Sequence, residues 1–518
     1  MPQADTRLVE AMPMNENLRP ALGSLAAALL LAGCAALPPY QPPAAPPVAG
    51  YTAGTAVAAT AWSDVPLGQA QHVVVGTMEA QWWRTLGSPA LNALVDEAFR
   101  ASPTLAAAEA VLAQARELHA AQAGSTQWPQ VDLGVGAQRQ QISPSAQGLP
   151  GDTREFGLYN ASVSVRYRFD FGGGTASSLR ALAARAEIRR HELAAARHAL
   201  AANLATTAIT RARLAAQLDA QSAILRTQEE LIRLAQVRTR LGQAAPDEVS
   251  ALTTQAELTR AGLPPLHKSL QQSEHLLAVL AGRAPAQGVP AFTLADFTLP
   301  ERLPVTVPSE WARQRPDIQA AEAGLRAAHA ELGVAYARQY PRLDLGASLG
   351  SQALTTTALF GGSAAVWNVV GQLSQPLFNA GLPAERRAAQ AALDAAAASY
   401  QRVVLEALRS VADALRAVEH DAQALAALAR SVRAAEEQHR VLERQYRAGA
   451  ASPVQLLVAD QQLLQARSGL IATQALRLAD TVALGAALAG EPARREPAPA
   501  QALSVLETQE RKSNDIRR

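Results

Sequence analysis

Cysteine is all but absent: Cys34 stands alone in 518 residues. A lone thiol excludes an internal disulfide framework and a cysteine-built metal cluster. Aromatic side chains make up only 4% of the chain, so its 49% hydrophobic content rests on small residues, above all alanine, which suit closely approaching helices better than a bulky core. Neither sign of charge dominates. With 47 basic against 45 acidic side chains and a net of +2, the chain carries no nucleic-acid footprint. The signatures H-E-x-x-H, G-x-S-x-G and G-x-x-x-x-G-K-[ST] do not occur, and the nine histidines lack ligand spacing. Asp170-Phe171-Gly172 spells a kinase triplet without any catalytic loop to accompany it. Gly172-Gly173-Gly174 reads instead as a strand-to-helix bend, as does Asn379-Ala380-Gly381. The expectation is a non-enzyme that takes no metal and no soluble cofactor.

What the chain does have is a copy of itself. Pro129-Gln130-Val131-Asp132-Leu133-Gly134 returns 212 residues later as Pro341-Arg342-Leu343-Asp344-Leu345-Gly346. Pro103 with Pro316, Gly242 with Gly449, Pro246 with Pro453 and Leu280 with Leu488 keep nearly the same step and the same order. A period near 210 is far beyond the roughly 20–50 residues of a solenoid unit, so this is a duplicated half-molecule.

Residues 21–32 form an apolar run too short to span a bilayer and suited to a secretory core. Leu31-Ala32-Gly33-Cys34 resembles a bacterial lipoprotein box, which makes residues 1–33 a signal peptide and Cys34 the acylated first residue. Ala35 in place of an aspartate leans toward the outer membrane. Asp5 and Glu10 suit a signal's basic end poorly, which leaves Met12 and Met14 as alternative starts. Residues 34–80, rich in proline, read as an extended tether.

Repeat 1 spans 81–282 and repeat 2 spans 311–490, separated by a proline-marked linker at 283–310 and followed by a disordered tail at 491–518. Within each repeat the hydrophobic period changes from 3.6 to 2. Strands are expected at about 130–140 and 159–170, and again at about 342–350 and 366–376. Their length of about ten residues crosses a bilayer when tilted, although a soluble sheet with one buried face gives the same alternation. Helices at 175–241 and 382–447 follow without an interior breaker. At 1.5 Å per residue each is a rod of roughly 100 Å. Ala, Leu and Arg in these rods show no clean heptad, which argues against an ordinary coiled coil. Each rod ends at a glycine with a proline four residues on: Arg240, Leu241, Gly242 and Pro246 in one copy, Tyr446, Arg447, Gly449 and Pro453 in the other. Shorter helices return from these turns, the first broken at Pro264-Pro265.

Cys34 with Pro39-Tyr40-Gln41-Pro42, Trp82-Trp83, Arg315-Pro316-Asp317-Ile318 with Ala321-Glu322, and Gln375-Pro376-Leu377-Phe378-Asn379-Ala380-Gly381 together resemble the outer-membrane factor family. These are the TolC-like channels of tripartite RND efflux systems, in their NodT/OprM-type lipoprotein branch. The resemblance implies a mainly α fold with membrane β structure: a homotrimer whose subunits each give four strands to one outer-membrane β-barrel, continued by a long periplasmic α-helical barrel. It implies an inner-membrane RND-type pump and a periplasmic adaptor (membrane fusion protein) as partners, with the adaptor meeting the tip turns. On this reading Val163, Val165, Tyr167, Phe169 and Trp367 face outer-membrane lipid, while Ser162, Ser164, Arg166 and Arg168 face water.

Candidates for the aperture are Asp247, Glu248, Val454, Val458 and Asp460. Related channels often carry a gating leucine and, four residues on, an aspartate. The matching positions here are Val454 and Val458, an apolar constriction with Asp460 as a displaced acid. The expected function is a passive exit duct for small molecules. The alternatives are a type I protein-secretion channel or a non-conducting scaffold.

Overall fold

The computed structural model describes residues 39–42, 48, 50–52, 58–144, 148 and 150–490. The expected signal peptide, Cys34 and the tail at 491–518 lie outside these residues. In order, the elements are β1 (His72–Val75), α1 (Pro89–Ala101), α2 (Pro103–Gln127), β2 (Gln130–Ile142), β3 (Arg154–Phe169), α3 (Gly174–Arg240), α4 (Pro246–Ala261), α5 (Leu263–Leu280), β4 (Arg302–Val305), the single turn α6 (Pro308–Trp311), α7 (Pro316–Ala337), β5 (Arg342–Ala353), β6 (Ala365–Ser374), α8 (Gly381–Arg447) and α9 (Pro453–Leu488). The described residues divide into two compact units, one within 39–42, 115–186 and 324–397, the other within 48–114, 187–323 and 398–490.

The first unit holds an antiparallel sheet in the order β2-β3-β5-β6. Its β3 begins at Arg154, five residues before the expected start, because Arg154–Leu158 stay paired with Gln138–Ile142 after the apolar alternation has ended. Backbone ladders continue where side chains carry no pattern. β6 stops at Ser374 because Pro376 has no N–H to give a ladder. The bend into α3 is cramped: a Cβ on Gly174 would sit 2.9 Å from Ala337 Cβ, and Gly173 has φ +68°. Asp170 then caps the helix by accepting from Ala176 N at 2.8 Å. Asn379 does the same for Gly381 N at 2.9 Å before α8.

The second unit contains the main apolar core, with Trp82, Trp83, Leu91, Val95, Trp311, Leu478 and Val482 buried together. Each such buried Leu or Val contributes about 1.5–3 kcal/mol. Three expectations are corrected here. Residues 58–80 are no tether: Leu67 and Met78 are buried, and β1 pairs in parallel with β4, His72 opposite Arg302 through Val75 opposite Val305. The linker at 283–310 supplies that partner strand, and a parallel pair separated by some 230 residues leaves no local signal. The second correction concerns the heptad. Along α8 the buried positions are Val404, Ala407, Val411, Ala414, Val418, Ala422, Leu425, Ala429 and Val432, steps of three and four throughout. This is a coiled-coil seam. Alanine occurs on every side of the helix, so half of the seam was hidden among identical residues. The return helix of the first repeat breaks at Gly262, between α4 and α5, and not at Pro264-Pro265; those prolines sit in the first turn of α5, where an N–H is not needed.

At the core a Cβ on Gly485 would lie 2.9 Å from the Trp82 ring. Gly485→Val should displace that indole at a cost of about 1–3 kcal/mol. A lowered thermal-unfolding midpoint checks this, and an unchanged midpoint would show that the packing is looser than described.

Candidate channel-forming surfaces

In the sheet, register sorts the side chains by face. Leu133, Val163, Leu349 and Trp367 stand in line across the four strands, and Val131, Val165, Ala347 and Val369 form the next row. Tyr167 and Phe169 continue this face with their rings edge to face at 4.9 Å. Leu133 and Trp367 are each 75% exposed, so no element of the chain covers it there. An uncovered apolar face of this breadth needs an apolar neighbour.

Alternate residues build the opposite face from small and polar groups. Asp132, Ser164, Ser348 and Asn368 share one row, and Gly134, Ser162, Gly350 and Val366 another. Arg166 pairs with Asp132 at 2.8 Å and Arg168 with Asp344 at 2.6 Å, so these four charges on this face are mutually compensated. Among the described residues neither β2 nor β6 has a partner on its outer edge.

The second unit contains the two tip turns. Gly242 (φ +70°) and Gly449 (φ +77°) adopt the left-handed conformation that lets the last helical carbonyls be capped. Gln243 N bonds to Arg238 O and Gly242 N to Thr239 O; Ala450 N to Gln445 O and Gly449 N to Tyr446 O reproduce both bonds. After the second turn Ser452 and Gln455 cap α9 reciprocally, Ser452 N donating to Gln455 Oε1 at 2.9 Å.

A side-chain cluster joins the tips. Tyr446 is fully buried against Leu231, Ala235, Leu252 and Leu456. Its hydroxyl donates to Glu248, and Arg238 lies 3.7 Å from that carboxylate and 5.3 Å from the Tyr446 ring centroid. Burial, and then Glu248 beside it, push the phenol well above its usual range, so it remains a donor at any physiological pH.

The structure places the remaining candidates as follows. Arg240, Leu241, Gly242, Pro246, Asp247, Arg447 and Gly449 are exposed, and Pro453 is partly so. Val454 is 65% and Val458 47% exposed, one turn apart on α9. Tyr446 is corrected: it is an internal anchor between the tips and presents nothing to a partner. Asp460 is corrected too. At 2% exposure it cannot line an opening, since two residues beyond Val458 bring the helix round by about 200° to its inner side. There its carboxylate meets His439 Nε2 at 2.6 Å and accepts from Gln228 Nε2 at 3.5 Å. Glu248 turns inward to Tyr446. Arg238, Gln228 and His439 went unnoticed as sequence because their partners lie 10–232 residues away in the chain; a lone tyrosine one turn before Gly449 was the available signal. Among the described residues no cluster of three His, Cys, Asp or Glu could hold a metal, and no helix is long and apolar enough to cross a membrane.

Tyr446→Phe should leave Glu248 without its buried donor, costing about 1–3 kcal/mol at the tip. Trypsin cleavage after Arg447 should quicken several-fold; an unaltered rate would mean that this bond does not hold the turn.

Residues 94–283 and 307–490 each match the family model "Outer membrane efflux protein". Over 469 residues the chain is 30% identical to the pyoverdine export outer membrane protein OpmQ of Pseudomonas putida, covering 89% of this chain and 95% of that one. It is 27% identical over 362 residues to the toluene efflux pump outer membrane protein TtgF of Pseudomonas putida, with 69% and 73% covered. Among solved structures, the outer-membrane channel OprN superposes with a TM-score of 0.78 at 26% identity, over 88% of this chain and 99% of that one. The Campylobacter jejuni CmeC outer membrane channel gives 0.81 over 91% and 98%, and at 18% identity shares the fold alone. A match in both halves, a relative at 30% identity over nearly its whole length, and an apolar sheet face with open edges lead to one conclusion: the chain belongs to the outer membrane efflux protein family, non-catalytic channels, and is the outer-membrane component of a tripartite RND-type efflux system with a large periplasmic helical region.

Proposed function

We propose that three copies close one barrel around a water-filled duct, each contributing β2, β3, β5 and β6. The observation that carries this reading is the sheet itself: one face apolar and uncovered from Val131 to Ala137 and from Ala161 to Phe169, the other mostly small and polar, and, among the described residues, both edges unpaired. Lipid cannot solvate a free strand edge, and a single-chain barrel needs about eight strands. Joining edge to edge with sister subunits satisfies every ladder. Val163, Val165, Tyr167, Phe169 and Trp367 then meet lipid, while Arg166, Arg168 and their acidic partners meet water.

At the tips, Val454 and Val458 line the aperture, with Asp247 the acid nearest its approach. A ring of valines from identical subunits closes by excluding water more than by charge. The exposed turns at Arg240, Leu241, Gly242 and Pro246, and at Arg447, Gly449 and Pro453, are the surface for the periplasmic adaptor, through which the inner-membrane pump supplies energy. Cys34 carries the acyl anchor. Pyoverdine export and toluene efflux by the two relatives support small organic molecules as cargo.

Reconstitution into planar bilayers tests the reading. The protein should form discrete channels, and Val458→Asp should raise single-channel conductance several-fold by wetting the constriction. An identical conductance in the variant removes Val458 from the aperture, and the absence of any channel ends the duct reading. For the anchor, mass spectrometry of the mature protein should find diacylglyceryl and acyl mass on Cys34, lost in Cys34→Ala; an unmodified thiol would refute it.

A further inference from the structure

The two hairpins of long helices are cross-tied by chemically different rungs. In the first, α3 is bonded to its return helices by Arg260 with Glu229 at 2.6 Å, Arg211 with Glu274 at 2.9 Å, and Gln221 donating to Thr259 O at 2.7 Å. Each pairs an arginine with a glutamate or an amide with a carbonyl, and none contains an imidazole. In the second hairpin, α8 and α9 share one rung of that kind, Arg467 with Glu436 at 2.7 Å. Toward the tip a further rung differs in kind: His439 Nε2 meets the buried Asp460 carboxylate at 2.6 Å, and an imidazole can gain or lose a proton where a guanidinium does not.

We propose that proton occupancy of the His439–Asp460 rung sets how firmly α9 is tied to α8, so that the part of α9 bearing Val454 and Val458 loosens as pH rises while the first hairpin does not.

The surroundings of each titrating group fix the direction. His439 is raised above its ordinary value by its bond to Asp460, with burial opposing; the charges of Asp460 and of Glu443 on its own helix favour the imidazolium, and Arg467 on α9 disfavours it. From α3 the Asp460 carboxylate receives only the neutral amide of Gln228. Asp480 is pushed up to about 7 by burial, then by its bond to Asp421 and by that neighbour's charge. Arg477 feels Asp421 but gives its N–H groups to Leu67 O, Gln69 O, Gln71 Oε1 and Thr60 Oγ1. Both groups titrate higher when folded. Their stabilisation is therefore complete at low pH: that of His439 fades as pH climbs through its raised value, and that of Asp480 is lost by about 7, where two carboxylates begin to repel. The two groups act in the same direction.

The consequence for an aperture rests on the reading of Val454 and Val458 given above, but the tie itself is measured without conduction. Hydrogen exchange of the full-length protein in detergent or bilayer, corrected for intrinsic rates, compares residues 453–463 with residues 246–256. Between pH 6 and pH 8.5 protection of 453–463 should fall about tenfold, the scale set by one proton per decade of pH, with 246–256 unchanged. Asp480→Asn holds the neutral form on α9, and His439→Gln keeps a donor that does not titrate. Each should shrink the fall and the double variant should abolish it. An equal fall in both hairpins, no fall in the native protein, or the same fall in the double variant overturns the proposal. Conductance of the same sample reads the duct separately: lost protection without channels would end the duct reading and leave the proton-bearing rung standing.

Discussion

Unpaired backbone groups at the edges of a four-stranded sheet govern this molecule more than any side-chain contact. In water an open edge is tolerated, but in hydrocarbon each orphaned N–H or C=O costs several kcal/mol, and β2 and β6 each present a whole row. The strands also show apolar residues to one side and glycine, serine and compensated ion pairs to the other. A sheet with those faces and those edges is complete only in a closed ring. Arg166 bonded to Asp132, and Arg168 to Asp344, neutralise four of the charges on the polar face in pairs.

The helical rods answer a different constraint, close approach over great length. Large side chains at every contact would hold such helices apart, and alanine at alternate seam positions of α8 lets the backbones near each other while Val404, Val411, Val418, Leu425 and Val432 interlock. Stability is then spread along the rod in small increments, and few single positions are decisive. Gly485 under Trp82 is one of them, because a bulky indole needs a neighbour without a side chain.

How much was legible in the sequence follows from where each signal lives. Val131 through Ala137 and Ala161 through Phe169 announce a two-sided strand, because alternation is a local pattern with a local cause. Gly242 with Pro246 and Gly449 with Pro453 announce reversals, because only glycine adopts the required φ cheaply and proline suits the first turn of the next helix. By contrast, β1 pairing with β4, Asp460 meeting His439 and Gln228, and Tyr446 seated under Glu248 depend on partners brought together only by folding. Asp460 was legible as an acid near the tip but not as a buried one, since its inward direction follows from the exposed stretch of α9 being Val454 and Val458. The α8 seam was local yet unreadable, alanine being too common to mark a face.

Duplication explains why the two tips match in backbone and differ in side chains. Both rods end in the same pair of capping bonds, five and three residues back from the turn, and both return helices start on proline. These features depend on glycine and proline at fixed offsets, so they survive divergence of everything around them. The ties between helices depend on pairs of side chains and have diverged: arginine with glutamate in the first hairpin, histidine with aspartate added in the second. Tyr446 and Arg238 then bind one copy to the other through Glu248. The repeat thus conserves the geometry of a reversal and leaves the strength of each hairpin to be set independently.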